Sequence, residues 1–173
     1  MDPFARVVGA LVAKQVRFVV IGVAGANFYA RSGGTIFTTQ DQDLFLPPDP
    51  ANLLRAWQVC DETGMSLWAG EEPLDLPRDS QLARAVVERT AGTTATGDGL
   101  QIDLSLVMAG FDFDDVWARR RSFKVDGVDI PVARLTDIVK SKANVGREKD
   151  RLFLATHEEA LRQLMCEDQP AGE

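Results

Sequence analysis

The sequence has few of the features that mark secreted or membrane-spanning proteins. Its two cysteines, Cys60 and Cys166, are far apart, so the 173 residues indicate neither a disulfide framework nor a cysteine-based metal site. No apolar run approaches the roughly 20 residues that a membrane-crossing helix needs. The first residues, MDPFARVVGALVAKQVRFVVIG, carry charges among the apolar positions and do not resemble a signal peptide. We therefore expect a cytoplasmic protein with no membrane partner.

Basic residues are also in the minority. The chain has 19 Lys and Arg against 26 Asp and Glu, which gives a formal net charge of −7. Bulk electrostatics therefore does not indicate nucleic-acid binding, although a local basic site is compatible with this composition. Hydrophobic residues make up 45% of the chain, which is enough for a sizeable core. We predict one domain over residues 1–165 and a flexible tail over residues 166–173.

Apolar spacing changes between helical and strand patterns along the chain. It predicts helices over 3–14, 50–63, 111–121, 135–145 and 147–165, and a short helix that ends at Gly33-Gly34. It predicts strands over 16–22, 38–47, 83–90 and 100–108, and a hairpin around Asp126-Gly127. The stretch at 92–97, GTTATG, lacks a lysine and is interpreted as a loop, not a Walker phosphate loop. The predicted fold class is α/β (α+β), a mixed sheet flanked by helices, with further helices at the C-terminal end.

Two aspartates stand one residue apart at the start of a predicted strand, in TTQDQDLFLPPDP. Residues two apart on a strand project from the same face, so Asp41 and Asp43 are expected side by side. A third acid, Asp103, lies between Ile102 and Leu104. A carboxylate within an apolar run needs a partner, which can be a divalent metal, a Lys or Arg, or water. Magnesium suits such a cluster because it prefers carboxylate oxygens and shares its sphere with phosphates.

An Asp-x-Asp pair alone is more typical of a strand end with two solvated acids. Its surroundings favour a site, because a glycine-bearing turn precedes it, Asp103 follows it, and a basic segment comes later. That segment contains Lys140, Lys142, Arg147 and Lys149. It could be a solvated helix face, but a basic segment in an acidic protein suits a triphosphate. A second basic cluster, Arg119 to Lys124, is interpreted as solvated, with guidance of a nucleic-acid acceptor as the alternative.

The order RFVVIGVAGANFYA, TTQDQDLFLP, LQIDLSLV and IPVARLTDIVKSKANVGREKDRLFL resembles the minimal nucleotidyltransferases of the DNA polymerase beta superfamily. Within it the chain is most similar to the abortive-infection type nucleotidyltransferases of bacterial toxin–antitoxin systems. The resemblance covers about residues 16 to 155. It implies a nucleotidyltransferase-like fold and Mg²⁺, as one ion or two. It also implies transfer of a nucleoside monophosphate from a nucleoside triphosphate to an acceptor hydroxyl on a tRNA, a protein or a small molecule. A cognate antitoxin or toxin would be its protein partner.

The resemblance also implies roles for particular residues. Metal binding falls on three acids that are also catalytic: Asp41, Asp43 and Asp103. Lys142 is the fourth catalytic residue. The nucleotide would contact Gly22, Val23, Thr39, Lys142, Arg147 and Lys149, and Asp150 would orient a neighbouring base.

The sequence departs from the family pattern at two places. Val23 stands where the family has a second Gly or a Ser, unless Gly25-Ala26 is the equivalent pair. An Arg common before the Asp-x-Asp strand is replaced by Ile36 and Phe37, with Arg31 further upstream. The alternative function is therefore a catalytically silent nucleotidyltransferase fold that acts as an interaction module or antitoxin. A structural α/β domain with solvated acids is the third hypothesis.

Overall fold

The structure is a computed structural model that describes residues 1–31, 37 and 41–168. In these ranges the chain forms eight helices and eight strands. The helices are α1 (Pro3–Ala13), α2 (Gly22–Ala30), α3 (Pro50–Glu62), α4 (Ser80–Glu88), α5 (Phe113–Arg119), α6 (Leu135–Val145), α7 (Glu148–Thr156) and α8 (Glu158–Glu167). The strands are β1 (Val19–Ile21), β2 (Gln42–Phe45), β3 (Ser66–Ala69), β4 (Glu72–Pro73), β5 (Thr93–Gly97), β6 (Leu100–Ser105), β7 (Arg121–Val125) and β8 (Val128–Val132). The predicted mixed α+β class is confirmed.

All eight strands belong to one mixed sheet, in the order β4-β3-β5-β6-β2-β1-β8-β7. At its centre β2 runs antiparallel to β1 and parallel to β6, while β1 runs parallel to β8. The remaining neighbours pair in antiparallel fashion. The central strands carry Asp43 and Asp103, and Asp41 directly precedes β2, so the sheet order decides how close these acids lie.

Helix starts follow simple sequence signals. Asp2, Asp49 and Asp79 each accept a hydrogen bond from a backbone N–H in the first turn of α1, α3 and α4. Proline begins α1 and α3, where it removes no intrahelical hydrogen bond. The apolar face of α3 buries Trp57 completely, and its indole N–H donates to Thr93 Oγ1 over 3.1 Å. These caps and faces fix the helices against the sheet.

Two secondary-structure predictions between residues 80 and 100 are wrong. The strand predicted over 83–90 lies largely within α4, because Asp79 caps a helix whose buried residues, Ala83 and Val86, are one turn apart. The loop predicted at 92–97 contains β5, which pairs with β3 and β6. Its threonines favour a strand, and the apolar content of β5 is too low for the alternation to be recognised. The predicted hairpin over 122–133 is confirmed as β7 and β8 around Asp126-Gly127.

The helix predicted over 147–165 is two helices, which are separated at His157. Ordered structure continues past residue 165, because α8 ends at Glu167 and Asp168 forms ion pairs with Arg121 and Arg134. The predicted Gly33-Gly34 helix end and the first three residues of the strand predicted over 38–47 lie outside the described residues. Among the helices that are described, none is long and apolar enough to span a bilayer.

Candidate functional site

Two adjacent strands bring two of the predicted acids side by side. Asp43 of β2 lies in register with Asp103 of β6, and on its other side with Ile21 of β1. Asp41 lies one residue before β2 and lines the same cleft as Asp43 and Asp103. The Asp-x-Asp pattern and the third acid, 60 residues apart in the sequence, therefore meet at one place because β2 and β6 are parallel neighbours.

Gly22 makes room for this pair. It begins α2 with a φ of +69°, a backbone conformation that residues with a side chain rarely adopt. A Cβ at this position would lie 2.5 Å from Asp43 Oδ2. The family resemblance implies that Gly22 is a turn glycine that lets backbone N–H groups approach a triphosphate. The structure adds a second reason for glycine, since any side chain would displace the Asp43 carboxylate.

The surroundings of Asp43 disfavour its ionised form. Burial is the largest cause that raises the pKa of Asp43 to about 6, followed by a hydrogen bond with Asp103 and the charges of Asp103 and Asp41. The positive charge of Lys142 opposes the rise. A divalent cation beside Asp43 would offset both the burial and the neighbouring negative charges that disfavour its ionised form. The pair therefore has an electrostatic requirement that a metal ion satisfies.

The donor set fits magnesium. Across residues 1–31, 37 and 41–168, no three acidic, histidine or cysteine side chains converge into a complete protein-only metal site. Magnesium does not need one, because it keeps several waters and usually shares its sphere with substrate phosphates. Asp43 and Asp103 supply adjacent oxygen ligands beside the cavity that Gly22 leaves, and Asp41 adds a third acid to the cleft. The residues present are therefore suited to an ion held jointly with a phosphate.

Basic side chains face the acids from α6 and the start of α7. Lys142 Nζ lies 3.4 Å from Asp150 Oδ1, and Arg147 Nε donates to Asp150 Oδ2 over 2.6 Å. Asp150 is buried, with 1% of its surface exposed. Lys142 also lies over the ring of Phe153, 4.9 Å from its centroid. One buried carboxylate thus holds two cations at the edge of the cleft.

The Asp150 carboxyl stays ionised because of these two cations. Burial raises its pKa, but the hydrogen bond from Arg147 and the charges of Lys142 and Arg147 outweigh burial and lower the pKa overall. The hydrogen bond to Asp150 also raises the pKa of the Arg147 guanidinium. The arrangement fixes the positions of both cations near Asp43 while leaving part of each side chain accessible.

A cleft of about 450 Å³ joins the acidic and basic groups. An adjoining cavity of about 260 Å³ shares Asp41, Asp43 and the basic groups with the cleft and extends to Val23 and Phe153. The predicted site residues that line one or both are Gly22, Val23, Asp41, Asp43, Asp103, Lys142, Arg147 and Lys149. Thr39 lies outside the described residues. The alternative pair at Gly25 lines neither cavity, since a Cβ on Gly25 would lie 2.9 Å from Ile138 Cδ1 within the packing of α2 on α6.

Sequence reasoning missed the residues that support Asp103. Thr94 Oγ1 donates to Asp103 Oδ1 over 3.1 Å, and Gln101 Nε2 lies 3.4 Å from the same oxygen. Thr94 belongs to the stretch interpreted as a loop, so its pairing with β6 was not expected. Strand alternation could have identified Gln101, because it lies two residues before Asp103 and projects from the same face of the strand.

The second basic cluster is largely neutralised within the protein. Arg119 pairs with Asp137 over 3.0 Å, Lys124 with Asp129 over 3.5 Å, and Arg121 with Asp168. The guanidinium of Arg120 lies 3.7 Å from the ring centroid of Trp117. No residue of this cluster lines the cleft or the adjoining cavity.

Comparison with protein-family models and with curated proteins gave no match. Membership of a nucleotidyltransferase family therefore stays a prediction.

Proposed function

We propose that this protein is a magnesium-dependent nucleotidyltransferase that moves a nucleoside monophosphate from a nucleoside triphosphate onto an acceptor hydroxyl. The observation that carries the proposal is the juxtaposition of Asp43 and Asp103 on neighbouring strands with Lys142 and Arg147 across one cleft. Adjacent carboxylates opposite paired cations suit a metal-bound triphosphate, because the metal neutralises the phosphate and the cations stabilise the remaining charge.

Asp43 and Asp103 would hold the ion as the adjacent pair, and the charge of Asp41, which lines the same cleft, would contribute to binding it. When bound, Mg²⁺ would polarise the phosphate and lower the pKa of the attacking hydroxyl. Lys142, Arg147 and Lys149 would bind the triphosphate from the opposite side of the cleft. Asp150 and the Phe153 ring both contact the ammonium group of Lys142 and so restrict its orientation.

In the proposed reaction the acceptor oxygen forms a bond to the α-phosphorus, and the bond from that phosphorus to the bridging α,β-oxygen breaks. Asp103 takes the proton of the acceptor hydroxyl, and pyrophosphate leaves with the displaced electron pair. Lys142 and Arg147 stabilise the charge that builds up on the leaving group. The acceptor's identity and a cognate partner protein, both implied only by the family resemblance, stay predictions.

A thermal-shift titration tests the proposal. The protein is titrated with each of the four nucleoside triphosphates, with and without Mg²⁺, beside the Asp41→Asn variant. A ligand at 100 times its Kd stabilises the folded state by about 2.7 kcal/mol, which corresponds to a rise in Tm of about 5–10 °C for a chain of this size. We expect this rise with at least one triphosphate, in the presence of Mg²⁺ only.

The Asp41→Asn variant should fold and lose the rise, because the change removes a ligand charge and no core volume. Asp129→Asn is the matched control, since Asp129 pairs with Lys124 on the surface away from the cleft. A Tm that no triphosphate changes would contradict the proposal and favour the silent interaction module. An equal rise in the Asp41→Asn variant would refute the assignment of the metal site.

A further inference from the structure

One strand of the sheet carries three threonines whose hydroxyl groups have different partners. Thr93 Oγ1 accepts a hydrogen bond from the indole of Trp57 over 3.1 Å, and Thr96 Oγ1 accepts one from the indole of Trp68 over 2.9 Å. Thr94 Oγ1 instead donates to Asp103 Oδ1 over 3.1 Å. Two of the three hydroxyls therefore accept hydrogen bonds from tryptophan side chains, and the third contacts an acid of the candidate site.

The register of the sheet fixes the position of Thr94. Thr94 of β5 lies directly opposite Asp103 of β6, and Asp103 lies opposite Asp43 of β2. Side chains directly opposite one another on adjacent strands project from the same face. A row of three polar side chains therefore crosses three strands and ends at the cleft, with Asp103 in the middle.

This row constrains the Asp103 carboxylate. Thr94 donates to Oδ1, and Gln101 Nε2 lies 3.4 Å from the same oxygen. With Oδ1 engaged on the β5 side, rotation of the carboxylate about its Cβ–Cγ bond is restricted. The other oxygen, Oδ2, has no contact with either donor, and the restricted rotation keeps it in one orientation. A metal ligand gains from such a restriction, because a fixed carboxylate loses less conformational freedom when it binds.

We propose that Thr94 is a positioning residue, which orients Asp103 for metal binding through the hydrogen bond to Oδ1. The inference rests on the proposed function, because it assigns Asp103 to the metal site. Thr94 itself does not touch the cleft and needs no contact with substrate. Partners of this kind typically change metal affinity or activity by about 10–100-fold when removed.

The test measures the affinity of the protein for Mn²⁺ alone, from the free-ion signal in electron paramagnetic resonance, at one pH and without nucleotide. Thr94→Val removes the hydroxyl at nearly constant volume and keeps a β-branched side chain suited to a strand. We expect the affinity of Thr94→Val for Mn²⁺ to fall about 10–100-fold. Thr94→Ser restores the donor and should bind Mn²⁺ as the wild type does. Thr94→Ala is a second hydroxyl-free variant in case Thr94→Val folds poorly.

Thr96→Val is the matched control, on the same strand two residues along. It removes the hydrogen bond to Trp68 and should lower Tm while leaving the Mn²⁺ affinity unchanged. Equal Mn²⁺ affinity in the wild type, Thr94→Val and Thr94→Ala would overturn the role of Thr94 and leave the proposed function standing. Absence of Mn²⁺ binding to the wild type without nucleotide would overturn this inference, whereas the proposed function is tested separately by the thermal-shift titration with Mg²⁺ and triphosphate.

Discussion

Replacing Asp43 by asparagine should stabilise the metal-free protein. The pKa of Asp43 rises from 3.8 to about 6 on folding, chiefly because of burial and then because of Asp103 and Asp41. A tenfold difference in proton affinity corresponds to about 1.4 kcal/mol, so ionised Asp43 costs the folded state up to about 3 kcal/mol at pH 8. Because the side chain is partly solvated, we take about 1–3 kcal/mol as the gain from Asp43→Asn. The expected rise in Tm is about 2–12 °C.

The sign of the pH dependence follows from the direction of the shift. The folded protein binds the proton of Asp43 more tightly than the unfolded chain, so stability falls as pH rises from the unfolded pKa of 3.8 to the folded pKa of about 6. Above that range the full cost is present. Below it Asp43 is protonated in both states and the cost disappears. The gain from Asp43→Asn should therefore be largest near pH 8 and small near pH 4.

The assay is urea unfolding of both proteins in EDTA at pH 8 and at pH 4. Asparagine keeps the size of the side chain beside Gly22, so no new contact complicates the comparison. With Mg²⁺ and triphosphate the order should reverse, because the wild type gains binding energy and the variant does not. An Asp43→Asn variant that is less stable than the wild type in EDTA at pH 8 would refute the electrostatic reasoning.

Three further substitutions test the crowding at Gly22 and the charge pairing at Asp150. Gly22→Ala should lower stability by about 1–3 kcal/mol and weaken Mn²⁺ binding, because it forces a strained φ and crowds Asp43 Oδ2. Gly70→Ala has a similar φ of +64° and nothing within 4 Å, so in urea unfolding it should show the backbone cost alone. Equal losses in both would contradict the crowding. Asp150→Asn should cost about 2 kcal/mol in the same assay, because Lys142 and Arg147 lose their shared buried partner; unchanged stability would show that their pairing contributes nothing.

Strong local signals in the sequence predicted most of the fold. Helices α1 and α3 have an Asp-Pro start and an apolar face, and the β7–β8 hairpin has an Asp-Gly turn with positive φ at both residues. The errors at α4 and β5 fall between residues 80 and 100, where a short amphipathic helix and a threonine-rich strand have weak intrinsic preferences. There the pairing of β5 with β3 and β6 decides the structure, and single-sequence patterns carry no information about that pairing.

The site was predicted unevenly for a related reason. Acids within apolar strands are visible in a sequence because burial of a charge needs a partner, so Asp43 and Asp103 could be singled out. Their direct contact depends on β2 and β6 being neighbours in register, which 60 residues of intervening chain do not reveal. Thr94 could not be recognised at all, since a threonine hydroxyl in a strand is ordinary until its partner is known.

The distribution of ion pairs argues that the acids are not simply a structural feature of the sheet. In the described chain, neither Asp43 nor Asp103 forms an ion pair with Lys or Arg, although Lys142 is close enough to lower the pKa of Asp43. Lys142 and Arg147 pair instead with Asp150, which lies on the basic side of the cleft. A purely structural arrangement would be more stable if a cation neutralised Asp43 directly. Keeping the charges apart costs stability, and under the proposed function this cost would be offset when a metal ion and a triphosphate bind in the cleft together.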